Sequence, residues 1–110
     1  MSFEVIVTDD FQRKLKKLAK KYASIRTDFA ALIELLESQP ASGMPLGRDC
    51  YKVRMAIAAK GKGKSGGARV VTCVKIIREK VFLLTIYDKS EQASLSDMER
   101  NNLLRENGLL

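Results

Sequence analysis

The 110-residue sequence contains no histidine and no tryptophan, two prolines, two cysteines and an aromatic share of only 6%. Without imidazole there is no ordinary neutral-pH proton shuttle and the commonest metal ligand is missing, so His-based acid–base chemistry and a conventional zinc site are excluded. Cys50 and Cys73 stand far apart with no CxxC spacing. They make no secreted-type disulfide framework, which suits a reducing compartment. The start MSFEVIVTDD lacks the basic-then-apolar pattern of a signal peptide, and no apolar run approaches the ~20 residues that span a bilayer. The expected location is the cytoplasm, with no membrane partner. The length fits a single domain over 1–110, and neither a repeat nor a linker divides it.

What is present in excess is positive charge, 20 Lys+Arg against 13 Asp+Glu, for a net charge of +7. Its distribution is uneven. Residues 11–26 hold seven basic groups and no acid, and residues 48–80 hold ten basic groups against Asp49 and Glu79. Two basic blocks therefore lie on an acidic background. Clustered Lys and Arg favour a polyanion, most often nucleic acid, because neutralised phosphates release counterions. For block 11–26, with Lys17 and Lys20, a merely solvated helix face is an equally good reading.

Hydrophobic spacing predicts the elements. Phe3, Val5 and Val7 alternate as a short strand. Thr8, Asp9 and Asp10 then offer N-cap oxygens and negative charge to a helix whose Phe11, Leu15, Leu18 and Tyr22 share one face. Ser24 is placed to cap a second helix bearing Ile25, Phe29, Leu32, Ile33 and Leu36, closed by Pro40. Residues 40–49 read as loop. Three antiparallel strands follow, with Tyr51, Val53, Met55 and Ile57 on one face of the first. In the next, Val70, Thr72, Val74 and Ile76 alternate with Arg69, Val71, Cys73 and Lys75. After a turn at 77–80 come Phe82, Leu84 and Ile86 against Leu83, Thr85 and Tyr87. Ser94 or Ser96 caps a last helix carrying Leu95, Met98, Leu103 and Leu104. The order is β-α-α-β-β-β-α, an α+β domain with an antiparallel sheet, a helical hairpin on one face and a C-terminal helix.

The segment AAKGKGKS, residues 58–65, matches a loose phosphate-binding loop. That motif requires a helix to follow, and here Gly66, Gly67 and a strand follow instead, so the match is discarded. The stronger signal is the alternation itself. If Val53/Met55, Val70/Thr72/Val74 and Leu84/Ile86 face the helices, then Lys52, Arg54, Arg69, Thr85 and Tyr87 share an exposed face rimmed by Lys60, Lys62 and Lys64. Such a face suits phosphate contacts with base stacking. Wet sheet faces also carry Lys and Arg routinely, and Tyr87 by itself reads better as a packing residue.

From Lys52 to Leu95, KVRMAIAAKGKGKSGGARVVTCVKIIREKVFLLTIYDKSEQASL, the chain resembles the C-terminal half of the RelE/ParE toxin superfamily, closest to its HigB-like branch. The preceding strand and helical hairpin extend the resemblance over nearly the whole length. It implies a RelE-like fold and the toxin of a type II toxin–antitoxin pair: a ribosome-dependent mRNA endonuclease, working without metal or cofactor. The implied partners are a cognate antitoxin, expected to be a helix-turn-helix protein, together with the ribosome and mRNA. Carried over, the catalytic positions are Lys52, Arg54, Arg69, Tyr87 and Lys89, and the RNA-binding positions are Lys60, Lys62, Lys64, Lys17 and Lys20. Several RelE-type members place an arginine after the lysine of IYxK. This chain has Ser90, so Arg69 or Arg54 would have to stabilise transition-state charge. Two alternatives keep the basic fold: a ParE-like inhibitor of DNA gyrase, and a non-enzymatic RNA-binding domain.

Overall fold

The computed structural model describes residues 2–61 and 63–110, the Lys64 side chain excepted. The chain runs β1 (Glu4–Val7), α1 (Asp9–Lys21), α2 (Ile25–Ser38), β2 (Met44–Gly47), β3 (Cys50–Met55), β4 (Ala68–Lys75), β5 (Lys80–Asp88) and α3 (Asp97–Glu106). Short 3-10 turns at Ala58–Lys60 and Lys64–Gly66 join β3 to β4. The five strands form one sheet in the order β1-β5-β4-β3-β2. Pairs β2–β3, β3–β4 and β4–β5 are antiparallel, whereas β1 runs parallel to β5 at the far edge. The predicted β-α-α-β-β-β-α order and the α+β class are observed, with two differences. The sheet is mixed, and the segment 40–49 contains an additional edge strand, β2.

β2 escaped the period-two signal because it is only MPLG, with a proline and a glycine inside it. Its position depends on Gly43, whose φ is +96° and where a Cβ would collide with the Lys52 carbonyl. α1 begins as predicted. Thr8 accepts from the Phe11 amide, and its hydroxyl donates to the Leu83 carbonyl at 2.7 Å, tying the helix start to β5. Ser24 sits at the α2 N-cap, but its hydroxyl donates to Asp28 Oδ2 and makes no capping bond to the helix amides. Ser96 caps α3 with a full capping box to Glu99.

The helical hairpin covers one face of the sheet, where Phe11, Leu18, Ile25, Leu32 and Leu36 meet Val53, Met55, Val70, Val74, Val81 and Ile86. The opposite face is not open along its whole length. Cys50, Val71, Cys73, Leu84 and Tyr87 form a second buried cluster under Leu103 and Leu104 of α3. A bulge in β5 supplies part of this cluster: pairing steps from Val71–Thr85 to Thr72–Leu83, leaving Leu84 as the extra residue. Alternation reverses on its N-terminal side, so Leu83 rather than Leu84 joins the core beneath the hairpin. Ile86 and Tyr87 keep their predicted faces, but Tyr87, expected to be exposed, is buried because α3 covers it, and Thr85 is buried as well. Two further expectations fail at element ends. Met98 is exposed on α3, and Ile76 projects from the β4–β5 turn rather than into the core.

Leu104, almost fully buried, is the main apolar anchor of α3. Leu104→Ala should lower the unfolding free energy by about 2–4 kcal/mol, measured by urea denaturation.

Candidate functional site

Period-two geometry on β3 directs Lys52 and Arg54 to the face away from the helical hairpin, and register places Arg54 opposite Arg69, which in turn lies opposite Tyr87. β2 pairs with β3 only at Cys50, Tyr51 and Lys52. The edge of β3 beyond Lys52 has no strand on its outer side. Here a groove of about 740 Å³ opens, lined by Leu35 of α2 and Gln39 just past its end, Gly43 and Met44, Lys52, Val53 and Arg54 of β3, Arg69, Lys89 and Ala93. Four of the five predicted catalytic positions, Lys52, Arg54, Arg69 and Lys89, line this one groove. They come from two strands and the segment after β5, and only the sheet brings them together.

The side chains differ in how they are held. Arg54 is exposed and Lys52 half-buried. Arg69 is 5% exposed, and its guanidinium donates to the Ala68 carbonyl at 3.2 Å and the Ser65 carbonyl at 3.1 Å. It therefore anchors the glycine-rich connection as well as facing the groove. A rigidly held guanidinium with a fork of donors is well suited to a phosphate.

Tyr87, the fifth predicted position, does not line the groove. It is 7% exposed beneath α3, and its buried hydroxyl has no hydrogen-bond partner among the described residues. Burial pushes its phenol upward, partly opposed by Arg69 and reinforced by Glu99, so it is a neutral phenol at physiological pH. The predicted RNA-binding positions also separate. Lys17 and Lys20 are exposed on α1, where they share a shallow concavity of about 370 Å³ with Arg13 and Lys16. Lys62 and the Lys64 side chain lie outside the described residues.

Lys60 is not a free cation at the rim. Its ammonium is 2.7 Å from Asp88 Oδ1, with its side chain 10% exposed and that of Asp88 fully covered. Asp88 was missed by the sequence reading. It ends β5, and it also accepts from the Tyr22 hydroxyl at 2.8 Å and from the Ser90 amide and hydroxyl at 2.9 and 2.8 Å. Burial alone would raise its carboxyl. The Lys60 ammonium, Ser90 and Tyr22 together hold it well below the usual carboxylate range. The same end of the connection is pinned to α2, since the Ala58 amide donates to Asp28 Oδ2 and the Ala59 amide to Ser24 Oγ. At its other end Gly67 sits so close to the Met55 carbonyl that a Cβ would collide with it, and its own carbonyl accepts from the Lys89 amide at 3.2 Å. The described part of the loose phosphate-loop match lies on the turns Ala58–Lys60 and Lys64–Gly66, and β4 rather than a helix follows it. Among the described residues, no group of three or more His, Cys, Asp or Glu could hold a metal ion.

A carboxylate with a lowered folded-state pKa stabilises the fold fully above its unfolded pKa of about 3.9, and this contribution is lost as pH falls toward the folded value. Asp88→Asn, which leaves the Lys60 charge without its counterion, should cost about 3 kcal/mol at pH 7. In urea titrations the variant's deficit should shrink as pH falls below ~4, where the unfolded wild-type chain takes up a proton that the folded Asp88 still resists.

Comparison with known proteins agrees with this architecture. The structure is similar to an arginine-substituted form of the E. coli toxin RelE in the free state, with a TM-score of 0.60 and 16% identity, covering 96% of this chain and 98% of that one. It is similar to the isolated E. coli RelE toxin at a TM-score of 0.57 and 20% identity, over 96% and 99% of the two chains. A chain of a RelBE-type toxin–antitoxin complex from Mycobacterium tuberculosis matches at a TM-score of 0.56 and 20% identity, over 80% of this chain and 99% of that one. These identities carry the fold alone. The family is shown by sequence: residues 5–107 match the model described as the RelE toxin of the RelE/RelB toxin–antitoxin system. The chain belongs to the RelE toxin family.

Proposed function

We propose that this toxin cleaves mRNA on the ribosome, using the ribose 2′-hydroxyl as nucleophile and no metal ion. The observation that carries the reading is the convergence of Lys52, Arg54, Arg69 and Lys89 on one groove. Attack of the 2′ oxygen on the adjacent phosphorus gathers negative charge on the phosphate oxygens and releases the 5′ oxygen, leaving a 2′,3′-cyclic phosphate and a 5′-hydroxyl. The protein must stabilise that charge and move two protons. Arg54 and Arg69, opposite one another across β3 and β4, are placed to grip one phosphate from two strands. Lys52 and Lys89 are the groove's other cations, and they supply donors to the leaving oxygen.

Lys60 has no place in this set because its charge is spent on Asp88. Tyr87 stands beside Arg69 in register and stays under α3, so the proposed chemistry rests on the four cations. With Ser90 where relatives carry an arginine, the charge-stabilising work falls to Arg54 and Arg69. The ribosome supplies alignment of the message, which lets a modest catalytic set suffice. Lys17 and Lys20 on α1 lie on a separate cationic surface suited to an RNA backbone. The proposed partners are therefore the ribosome with its mRNA and a cognate antitoxin of helix-turn-helix type. Its acidic segment would cover the groove in the cytoplasm, where message is translated.

The test is incubation of the purified protein with translating ribosomes and mapping of mRNA ends. Cleavage within the ribosomal A site is expected, and intact message with folded protein would overturn the reading. Arg54→Ala is the cleaner variant because the side chain is exposed. It should lower the cleavage rate about 10²–10³-fold without lowering the unfolding midpoint.

A further inference from the structure

Cys50 opens β3 and Cys73 lies directly opposite it on β4. The Val74 amide donates to the Asp49 carbonyl at 2.9 Å, so the ladder bond joins the neighbours of this pair rather than the pair itself. That pattern defines a non-hydrogen-bonded antiparallel pair. Its Cα atoms stand about 4.5 Å apart and its side chains lean together. Disulfides span Cα separations of about 4.4–6.8 Å, so the backbone already meets their requirement. Alternation sends both side chains into the cluster beneath α3, with Val71, Leu84, Leu103 and Leu104.

Both cysteines are free and buried. A buried free cysteine is often no more than a small apolar core residue. These two differ in that each is the other's neighbour. The Cys50 thiol has two acceptors in reach, the Arg48 carbonyl at 3.5 Å and the Cys73 sulfur. The contact between them pushes the Cys50 thiol up and the Cys73 thiol down, with Lys75 also favouring the Cys73 thiolate against the effect of burial. Of the two, Cys73 is the better placed to lose its proton and act as the nucleophile.

We propose that Cys50 and Cys73 are an oxidisable dithiol, a modification site that closes as an intrachain cross-strand disulfide under hydrogen peroxide. The Cys73 thiolate attacks one peroxide oxygen and expels hydroxide, becoming a sulfenic acid. Cys50, losing its proton, then attacks the Cys73 sulfur, forming the S–S bond and expelling a second hydroxide. The two thiol protons convert the two hydroxides to water. Two sulfurs have together lost two electrons, and one peroxide has become two waters. Access is through α3: Leu103 and Leu104 seal the sulfurs, so the oxidant enters when this terminal helix opens locally. Cys50, Lys52 and Arg54 alternate along the same face of β3, opposite Cys73, Val71 and Arg69 on β4. The bond would therefore staple the two strands that carry the groove's cations. A transient, stress-formed bond of this kind is compatible with a reducing compartment.

The experiment exposes the reduced full-length protein to hydrogen peroxide, then alkylates it after unfolding and maps it without reductant. Expected is loss of both alkylatable thiols together in a monomeric chain, with a linked Cys50–Cys73 peptide that dithiothreitol releases. Two thiols still open to alkylation, sulfinic acid on one cysteine alone, or disulfide-linked dimers would each overturn the proposal. Leu104→Ala, which loosens α3, should close the bond about tenfold or more faster, and an unchanged rate would overturn the access route. The wild-type chain carries the deciding result, so no cysteine variant needs to fold.

Discussion

A carboxylate with no exposed surface must find its countercharge and donors inside the protein, and Asp88 finds them on three segments at once. Lys60 comes from the connection after β3, Tyr22 from the end of α1, and Ser90 from the chain leaving the sheet. Because one carboxyl group answers to all of them, none can shift without leaving a buried charge or a buried hydroxyl unpaired. The glycine-rich connection owes its anchorage to this. Its early turn is held at Lys60 and by the caps from Asp28 and Ser24, and its far end is held by Gly67 against β3. Arg69 follows two residues after Gly67, and Lys89 comes directly after Asp88 in the chain. Two of the groove's cations are thus positioned by residues that do not line it.

The second organising feature is the bulge at Leu84. By reversing alternation midway along β5, it gives the sheet an apolar patch on each face. One patch takes the helical hairpin and the other takes α3. The cations are confined to the part of the sheet that α3 does not reach, the outer half of β3 and its neighbours. The face opposite the hairpin is thus divided into an apolar end beneath α3 and a charged end at the groove.

Much of this is legible in the sequence, for identifiable reasons. Long periodic stretches announce themselves, so α1, α2 and the alternating strands β3 and β4 follow from Phe11, Leu18, Val53 or Val70 and their spacing. Thr8 and Ser96 mark helix starts because their local chemistry is self-contained. The grouping of Lys52, Arg54 and Arg69 follows from parity on two neighbouring strands. What is not legible depends on contacts distant in sequence. A bulge leaves no mark in local hydrophobicity, so Leu83 and Leu84 are assigned to each other's faces, and the cover that α3 gives Tyr87 is equally invisible in local spacing. β2 is too short and too rich in turn formers to register. Lys60 looks like any loop lysine until the fold brings Asp88 to it from 28 positions away. A signal was available for Asp88, an acidic residue at the end of an otherwise apolar strand, but it names no partner.

The row formed by Arg54 and Arg69 has a thermodynamic side. Like charges set directly opposite on neighbouring strands repel, and they weaken the pairing that carries them. A sheet selected for stability alone would place an acid or an apolar residue at one of these positions. Keeping both arginines carries a small cost in pairing, offset where the Arg69 guanidinium donates to the Ala68 and Ser65 carbonyls. An anion bound across the rung would lower that repulsion, so negative charge in the groove would also steady the sheet beneath it.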